Sequence, residues 1–407
     1  MKTFIFIGTN KSGSSREAIR AADRLGFFTV LFTNRKQFLN QRAEFPDVHL
    51  MLFSDLDDVD SLKNRISILS SEGKKINGIM SFMDSYVQIA AQLSEEFGLG
   101  TYSLKAISAM ENKLETRTIL QYHPSTPFYI KYNSDQPLDD FVESVTPSFP
   151  LVVKSPFSTG SKDVLFVNNK EEFKKTLSKL SAKEEDILIE EYLQGPQYLI
   201  EVLVHNGYVS IVAIIEQQIT YFQHFIVTGY ALLAEVQESF YNSIFATVSS
   251  ILHQLGLKNG ACHFEMRWVN GEWKLIEINP RISGGAMNRM IEVAYGINLV
   301  EETIRVYLGN KPNLTKKQNK FVYTHYLTVN ETGTLVKVTG RNRCSKYPGV
   351  EEVFIKPRKG KVLHSPKSMG DRYGYVMAAS NSQEEAKKIA IEAAKEITFN
   401  LNPNINR

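Results

Sequence analysis

Short apolar segments alternate with amphipathic segments over the first hundred residues, and this alternation constrains the fold more than any other feature of the sequence. Helices are predicted at 14–25 and 86–97, and strands at 4–7, 28–33, 49–53 and 78–82. Strands separated by helices form a parallel sheet, because consecutive parallel strands need a crossover connection. The pattern predicts a doubly wound α/β domain whose ligand-facing loops follow the strands, at 8–15 and 81–85.

The loop Gly8–Gly13 contains glycine, lysine and serine directly after the first strand. It lacks the Gly-Lys-Ser/Thr order of a P-loop and the glycine spacing of a dinucleotide fingerprint. We therefore expect it to cap the following helix and to contact the second substrate, rather than to form the principal ATP site.

The pattern changes after the proline- and serine-rich stretch at 124–150. A small α+β unit follows, with strands predicted at 149–154, 164–167 and 187–192 and a helix at 171–180. Beyond it the sequence predicts two hairpins, about Asn206-Gly207 and Asn270-Gly271, and a helix at 239–255 between them. The last ninety or so residues are β-rich and are predicted to close with a helix at 383–399.

The second hairpin, at 260–285, contains the most informative residues. By the period of two, His263, Glu265 and Arg267 share one face of its first strand, and the apolar face, which includes Cys262, is predicted to be core. In the second strand, Glu277 and Asn279 are predicted to share a face with Leu275, and Ile276 and Ile278 to point the opposite way.

The length of the turn decides whether the two acidic faces coincide. A two-residue Asn-Gly turn would pair Phe264 with Glu277, whereas a three-residue loop, 270–272, pairs Glu265 with Glu277. We predict the three-residue loop. Opposed carboxylates roughly 5 Å apart at Cβ repel each other, so a buried pair needs a cation between them. The alternative is a surface hairpin with incidental glutamates.

The residue types of this hairpin favour phosphate and metal chemistry. Oxygen ligands from Glu265, Glu277 and Asn279 suit Mg²⁺, which prefers few carboxylates together with phosphate oxygens and water. Arg281 is suited to bidentate contact with a transferring phosphoryl group.

A nucleotide-binding unit is predicted upstream. Lys154 ends an apolar strand and precedes the Ser/Gly loop 155–162, an arrangement that suits a polyphosphate but equally fits a salt-bridged surface lysine. The strand and turn at 187–198 form a hinge that offers backbone groups to adenine and a polar side chain to ribose.

Composition excludes several classes of function. A chain of 407 residues is long enough for two or three domains, and its net charge of +3 gives no sign of nucleic-acid binding. Two cysteines fit a reducing compartment, and the apolar run at 1–8 is too short for a signal sequence or a membrane span. We expect a cytoplasmic enzyme that binds neither nucleic acid nor membrane.

The order of these elements resembles the ATP-grasp superfamily over nearly the whole chain. The resemblance rests on Glu111-Asn112-Lys113 with Thr116-Arg117, and above all on the sequence Ile-Glu-Ile-Asn-Pro-Arg-Ile-Ser-Gly-Gly at 276–285. It implies a mixed α/β and α+β fold: an N-terminal doubly wound parallel-sheet domain, a small α+β lid lobe, and a larger antiparallel-sheet lobe with a β-rich C-terminal region. The expected bounds are 1–112, 113–194 and 195–407.

The resemblance also implies binding of ATP with Mg²⁺ or Mn²⁺ by particular residues. By this resemblance, Lys113 and Lys154 contact the ATP phosphates, and Gly160 and Ser161 belong to the glycine-loop lid. Adenine contacts fall to Glu190, Glu191, Tyr192 and Leu193. Metal binding is assigned to Glu265, Glu277 and Asn279, and the transferred phosphoryl group to Arg281. Gln197 stands where relatives often carry a ribose-binding glutamate, which places the nucleotide preference in question.

Within the superfamily the sequence is most similar to bacterial L-amino-acid ligases, which make dipeptides. The similarity rests on Glu201, on His224 before Ile-Val-Thr-Gly, and on Pro348-Gly349-Val350. It implies catalytic roles for Glu201 and His224, although His224 fits a core histidine bonded to backbone equally well.

The predicted function is that of an ATP-dependent ligase that activates a small carboxylate as an acyl phosphate and passes it to an amine, with a homodimer as the expected assembly. One alternative is an enzyme of the carboxyaminoimidazole ribonucleotide synthetase type, in which Lys11 and Arg16 supply a phosphate pocket and bicarbonate is consumed. Another is a nucleotide-binding protein without catalysis.

Overall fold

The computed structural model describes residues 1–100, 102–145, 148–157, 164–183, 186–221 and 225–403. The N-terminal part is a parallel sheet of order β3-β2-β1-β4 with helices in its crossovers, which confirms the predicted class. The strands are β1 Lys2–Ile7, β2 Phe28–Thr33, β3 Leu50–Phe53 and β4 Lys75–Met80; the helices are α1 Ser14–Arg24, α2 Lys36–Asn40, α3 Val59–Ser71 and α4 Val87–Glu96.

The loop after β1 caps the next helix, as predicted. The carbonyl of Gly13 accepts hydrogen bonds of 3.0 Å from the backbone N–H groups of Arg16 and Glu17. Gly13 has φ of +79° and lies against the backbone of Gly285, at 3.4 Å from a Cβ built on it, so a side chain here would be strained and tightly packed.

A small lobe follows, built on an antiparallel sheet of order β5-β8-β6-β7. Its buried side chains form a core of their own, so the lobe is packed as a separate unit. The elements of this segment are α5 Leu104–Glu111, α6 Lys113–Ile119, β5 Tyr129–Asn133, α7 Leu138–Ser144, β6 Leu151–Lys154, β7 Val164–Val167, α8 Lys170–Ser181 and β8 Asp186–Glu191.

The large lobe is built on an eight-stranded antiparallel sheet of order β13-β12-β9-β10-β11-β14-β18-β16, with a three-stranded sheet β17-β15-β19 beside it. Its strands are β9 Gln197–His205, β10 Tyr208–Tyr221, β11 Phe225–Leu232, β12 Gly260–Val269, β13 Glu272–Asn279, β14 Phe321–Leu327, β15 Gly333–Thr339, β16 Val350–Ile355, β17 Val362–Leu363, β18 Gly374–Ser380 and β19 Thr398–Pro403. Its helices are α9 Glu238–Leu255, α10 Met287–Tyr295, α11 Leu299–Tyr307, α12 Arg341–Cys344 and α13 Gln383–Ala394.

The predicted closing helix at 383–399 is wrong at its C-terminal end. Helix α13 stops at Ala394, and Phe399 lies in strand β19, opposite Val338 of β15. Phe399 and Leu401 alternate with asparagines, and this period of two lets the segment pair with β15 rather than extend the helix.

The N-terminal sheet and the large lobe share one apolar core, which joins Phe4 and Ala18 to Leu203, Met290 and Tyr307. The small lobe has its own core, and a cleft lies between this lobe and the face of the large sheet. None of the helices in the described part of the chain combines the length and apolar character needed to cross a membrane.

Candidate active site

A cavity of about 340 Å³ lies between the small-lobe sheet and the large-lobe sheet. One end is apolar, where Tyr192 stacks near Phe225, at 6.2 Å between ring centroids, and meets Phe166 edge-on at 4.9 Å. The other end is charged and includes the acidic residues of the hairpin formed by β12 and β13. The cavity therefore offers stacking surfaces at one end and charged groups at the other.

The turn of this hairpin differs from the predicted one. Val269 pairs with Glu272, so the turn has two residues, Asn270 and Gly271, rather than three. Their φ angles of +50° and +86° suit a tight Asn-Gly turn. Continued without interruption, this register would place Glu277 opposite Phe264, on the core side of the sheet.

A β-bulge restores the predicted opposition of the two acids. The register shifts between Glu265 and Met266: Met266 pairs with Leu275, Glu265 pairs with Glu277, and Ile276 is the extra residue. Leu275 is consequently in the core, and Ile276 lines the cavity beside Glu277. The predicted facing of Leu275 and Ile276 is therefore wrong, and that of the two glutamates is confirmed.

Arg117, from helix α6, stabilises the bulge. Its Nη2 donates to the carbonyl oxygens of Leu275, at 2.9 Å, and of Ile276, at 2.8 Å, and its Nε donates to Glu190 at 2.5 Å. Its side chain is only 1% exposed. Arg117 therefore connects the irregular backbone of β13 to the small lobe, and its carbonyl contacts depend on the bulge being present.

Replacing Arg117 with methionine is expected to lower stability by about 3–5 kcal/mol, because two carbonyls lose their donor and Glu190 loses one of its cations. Thermal unfolding followed by circular dichroism measures the change. Lys131→Met is the matched control, since the Lys131–Asp186 pair on the same lobe is half exposed and should contribute less than about 1 kcal/mol. Equal effects of the two substitutions would contradict this assignment.

The two opposed glutamates differ in their surroundings. Burial and the neighbouring Glu277 carboxylate raise the pKa of Glu265. Burial also disfavours the charged form of Glu277, but Lys113, with Nζ 3.0 Å from Glu277 Oε2, and the amide of Asn279 outweigh burial and lower its pKa. Two half-buried carboxylates that face each other favour the binding of a further cation.

The donor set fits a magnesium ion. Glu265 and Glu277 face each other across the strands, and Asn279 lies on the same face, with Nδ2 3.1 Å from Glu277 Oε1. These oxygens match what Mg²⁺ takes from proteins when phosphate and water complete the shell. The ring of His263 is fixed beside these ligands, with its Nδ1 2.9 Å from the carbonyl oxygen of Arg281. Burial lowers the pKa of His263 to about 4, which keeps the ring neutral.

Lys154 and Arg281 reach the cavity from opposite sides. Lys154 is almost fully buried and forms an ion pair with Glu190. Arg281 donates from Nε to Asp84, at 2.5 Å, and from Nη1 to the carbonyl of Ile282, at 2.8 Å. Asp84 was not predicted as a site residue. It belongs to the loop 81–85 after β4, which the parallel-sheet pattern predicted to face a ligand.

The predicted adenine-binding hinge lines the cavity, but its two glutamates do not face it alike. Glu190 is held between Arg117 and Lys154, and Glu191 accepts from the backbone N–H of Phe128 at 2.8 Å. The two acids thus fix the hinge and the cationic residues, and Tyr192 and Leu193 form the apolar surface that faces the cavity.

Gln197 is held in a polar network at the cavity wall. Its Nε2 donates to Gln217, at 3.0 Å, and to Glu265, at 3.2 Å, and its Oε1 accepts from Arg267 Nε at 3.0 Å. Arg267 also donates to the carbonyl of Leu193. The network joins the hinge to the glutamate pair.

Glu201 is not at the cavity surface. Its side chain is fully buried on β9, and its carboxylate accepts hydrogen bonds from the hydroxyl of Ser283 and from the Ser283 backbone N–H, at 3.1 Å. The Ser283 carbonyl in turn accepts from the Ser14 hydroxyl at 2.7 Å. This position favours a role in fixing the turn before Gly284 over direct contact with a substrate.

Stability is expected to respond to pH through Glu201. Burial raises its pKa to about 7 from an ordinary 4.5, against the hydrogen bonds from Ser283. The folded state then binds the proton more tightly than the unfolded chain, so this contribution to stability is complete below about pH 4.5 and is lost as the pH rises to about 7. Glu201→Gln should therefore gain about 2 kcal/mol relative to the wild type between about pH 5 and about pH 7.5. Thermal unfolding of both proteins at the two pH values measures this gain, and an unchanged difference would contradict it.

The structure gives little support to the phosphate pocket that the carboxyaminoimidazole ribonucleotide synthetase alternative assigns to Lys11 and Arg16. Arg16 is buried and its guanidinium is held by both carboxylate oxygens of Asp47, while Lys11 pairs with Glu44 at 2.9 Å. Neither residue offers an uncommitted charge to a ribose phosphate. Three further predicted site residues, Gly160, Ser161 and His224, lie outside the described residues.

Three protein-family models match the chain. They are an ATP-grasp N-terminal domain at residues 19–101, an ATP-grasp domain at residues 147–289, and L-amino acid ligase C-terminal domain 2 at residues 325–402.

Individual relatives agree with these matches. The chain is 20% identical over 337 residues to the L-arginine-specific L-amino acid ligase of Bacillus subtilis, covering 79% of each chain. The crystal structure of an L-amino acid ligase from Bacillus licheniformis superposes with a TM-score of 0.85 at 23% identity, covering 99% of each chain. The biotin carboxylase domain of 2-oxoglutarate carboxylase from Hydrogenobacter thermophilus, solved with MgADP and bicarbonate, gives 0.71 at 16% identity over 98% of this chain and 91% of that one.

The chain is therefore an ATP-grasp ligase, an ADP-producing enzyme that forms carbon–nitrogen bonds. Within that superfamily it is an L-amino-acid-ligase-like protein, since the ligase-specific C-terminal domain accompanies the ATP-grasp domain.

Proposed function

We propose that the protein joins the carboxylate of one small molecule to the amine of another, with both substrates L-amino acids, and releases a dipeptide, ADP and phosphate. The observation that carries the proposal is the opposed pair Glu265 and Glu277, half-buried at the charged end of a cavity whose other end offers aromatic faces. ATP fits a cavity with one aromatic end and one charged end. Its base would lie against Tyr192, and its phosphates would lie at the charged end with the metal ion.

Each residue of the charged end has a place in the proposed reaction. Lys113 and Lys154 lie beside the acids and neutralise phosphate oxygens, and Arg281 reaches the same end to hold the group in transfer. Glu265, Glu277 and Asn279 would hold Mg²⁺ or Mn²⁺, which neutralises charge on the β- and γ-phosphates when bound.

The proposed chemistry has two steps. A carboxylate oxygen of the donor attacks the γ-phosphorus, the bond from that phosphorus to the β-phosphate oxygen breaks, and ADP leaves. The acceptor amine then attacks the acyl carbon, phosphate leaves with the electron pair of the carbon–oxygen bond, and the amine gives up a proton. The protein contributes position and charge, and no covalent protein intermediate is needed.

A screen of amino-acid pairs tests the proposal. Phosphate release is measured for the purified protein with ATP, magnesium and every pair of the common L-amino acids, and products are identified by mass spectrometry. We expect at least one pair to raise phosphate release well above that with ATP alone and to yield the matching dipeptide. Release that depends on bicarbonate and ignores amino acids would favour the nucleotide-amine alternative, and binding without turnover would favour a non-catalytic protein.

The remaining assignments stay predictions. They are the division of the chain at residues 112 and 194, the homodimer, the cytoplasmic location, and the absence of nucleic-acid and membrane partners. Size-exclusion chromatography with light scattering tests the homodimer directly.

A further inference from the structure

Arg372, which no sequence pattern marked, extends into the cavity from the C-terminal region. It follows a short 3-10 helix, Met369–Asp371, and precedes β18. Its guanidinium carbon lies 4.0 Å from the ring centroid of Tyr326 and 5.9 Å from that of Tyr230, and the side chain lines the cavity with Met369. Aromatic faces orient a planar guanidinium without consuming its charge.

Within the described part of the chain Arg372 forms no close ion pair, although the Tyr230 hydroxyl and the Glu265 carboxylate help to raise its pKa against the effect of burial. Among the described residues, no carboxylate lies within 4.0 Å of its guanidinium, in contrast to Arg281, which is paired with Asp84. Its Nη1 and Nε donate, each at 3.3 Å, to the carbonyls of Val227 and Met369. Long contacts to neutral carbonyls leave a guanidinium well placed to exchange them for a charge-assisted bond to an anion.

Arg372 enters the cavity beside a different part of the large sheet than Lys113 does. Tyr326, on which it stacks, has its hydroxyl 3.4 Å from a Cβ built on Gly285, so Arg372 stands beside the glycine turn. Lys113, in contrast, pairs with Glu277 on β13. Strand β13 is an edge strand of the large sheet, and four strands separate it from β14, which contains Tyr326. Arg372 therefore lines the cavity on the side of the glycine turn, whereas Lys113 lies at the edge strand of the sheet.

We propose that Arg372 binds the α-carboxylate of the acceptor amino acid and so selects amino acids over simple amines. This inference rests on the proposed function. In such a reaction the donor carboxylate is consumed, but the acceptor carboxylate survives into the product and needs a cation of its own. Lys113, Lys154 and Arg281 are assigned to the phosphate end. Arg267 is held against Gln197 and the hinge carbonyl of Leu193. Of the cationic residues that line the cavity, Arg372 is therefore the one we assign to that carboxylate.

The test separates the two half-reactions. Hydroxylamine traps an acyl phosphate as a hydroxamate and carries no carboxylate, so hydroxamate formation from ATP and a donor amino acid does not need Arg372. Dipeptide formation with the acceptor amino acid does. Arg372→Met and Arg372→Lys are compared with the wild type and with Arg343→Met, which removes an exposed arginine paired with Glu396 on the same C-terminal region.

We expect Arg372→Met to raise the KM for the acceptor amino acid by about 10- to 100-fold, because the acceptor loses one charge-assisted contact. Hydroxamate formation and the KM for ATP should stay within about twofold of wild type, and Arg372→Lys should recover part of the loss. The wild type should prefer an acceptor amino acid over its carboxamide, and Arg372→Met should lose that preference. Retained hydroxamate formation also reports that the variant is folded.

An equal fall in hydroxamate and dipeptide formation would overturn the inference, since Arg372 would then serve ATP or the donor. An unchanged acceptor KM would overturn it as well. If the wild type forms no hydroxamate with any common L-amino acid, the proposed function itself fails, and the inference fails with it.

Discussion

Replacing Glu277 with glutamine is expected to reduce amino-acid-dependent phosphate release by at least about 10³-fold, the largest effect we predict. The side chain keeps its shape but loses the charge that pairs with Lys113 at 3.0 Å and opposes Glu265. The nucleotide phosphates would then lose both a metal ligand and the ordered lysine beside it. Steady-state phosphate release with the amino-acid pair found in the screen measures the change.

Glu272→Gln is the matched control, because Glu272 lies on the same strand but is exposed and pairs with Lys274 at the turn. It should keep activity within about twofold of wild type. Thermal unfolding of both variants checks that the hairpin remains folded. Activity of Glu277→Gln near that of wild type would remove the basis for the metal assignment.

Replacing Arg281 with lysine is expected to lower kcat by about 10²- to 10³-fold. Lysine can still pair with Asp84, which keeps the loop in place, but it cannot present two parallel N–H groups to a phosphoryl group. Because the arginine is proposed to act mainly on the group in transfer, the KM for ATP should change by less than about threefold. Initial rates over a range of ATP concentrations separate the two parameters.

Arg289→Lys provides the comparison, since Arg289 is an exposed residue of helix α10 paired with Glu292 at 2.8 Å. Its kinetic parameters should match those of the wild type. A rise in the KM for ATP with kcat intact in Arg281→Lys would instead assign Arg281 to ground-state nucleotide binding.

The sequence predicted those parts of the fold that depend on periodicity. The N-terminal alternation of strand and helix, the small α+β unit and the hairpins about Asn206-Gly207 and Asn270-Gly271 all agree with the structure. Period-two patterning also placed Glu265 on the cavity side and Cys262 in the core. Such features follow from local propensity and from the burial of one face.

Other features depend on contacts between distant segments. The bulge at Ile276 is an insertion in the register, stabilised by Arg117 more than 150 residues earlier, and no local pattern encodes it. The burial of Glu201 follows from its contact with Ser283, and Arg372 reaches the cavity only through the arrangement of the C-terminal strands. The closing helix was predicted too long because strand pairing with β15 overrides the helical tendency after Ala394.

Isothermal titration calorimetry with a non-hydrolysable ATP analogue tests the central claim, that Glu265 and Glu277 hold nucleotide through a divalent cation. The wild type should bind the analogue in the presence of magnesium, and the affinity should fall at least about tenfold when EDTA replaces magnesium or when Glu277 is changed to glutamine. Binding of equal strength with and without magnesium, or no binding under either condition, would contradict the account.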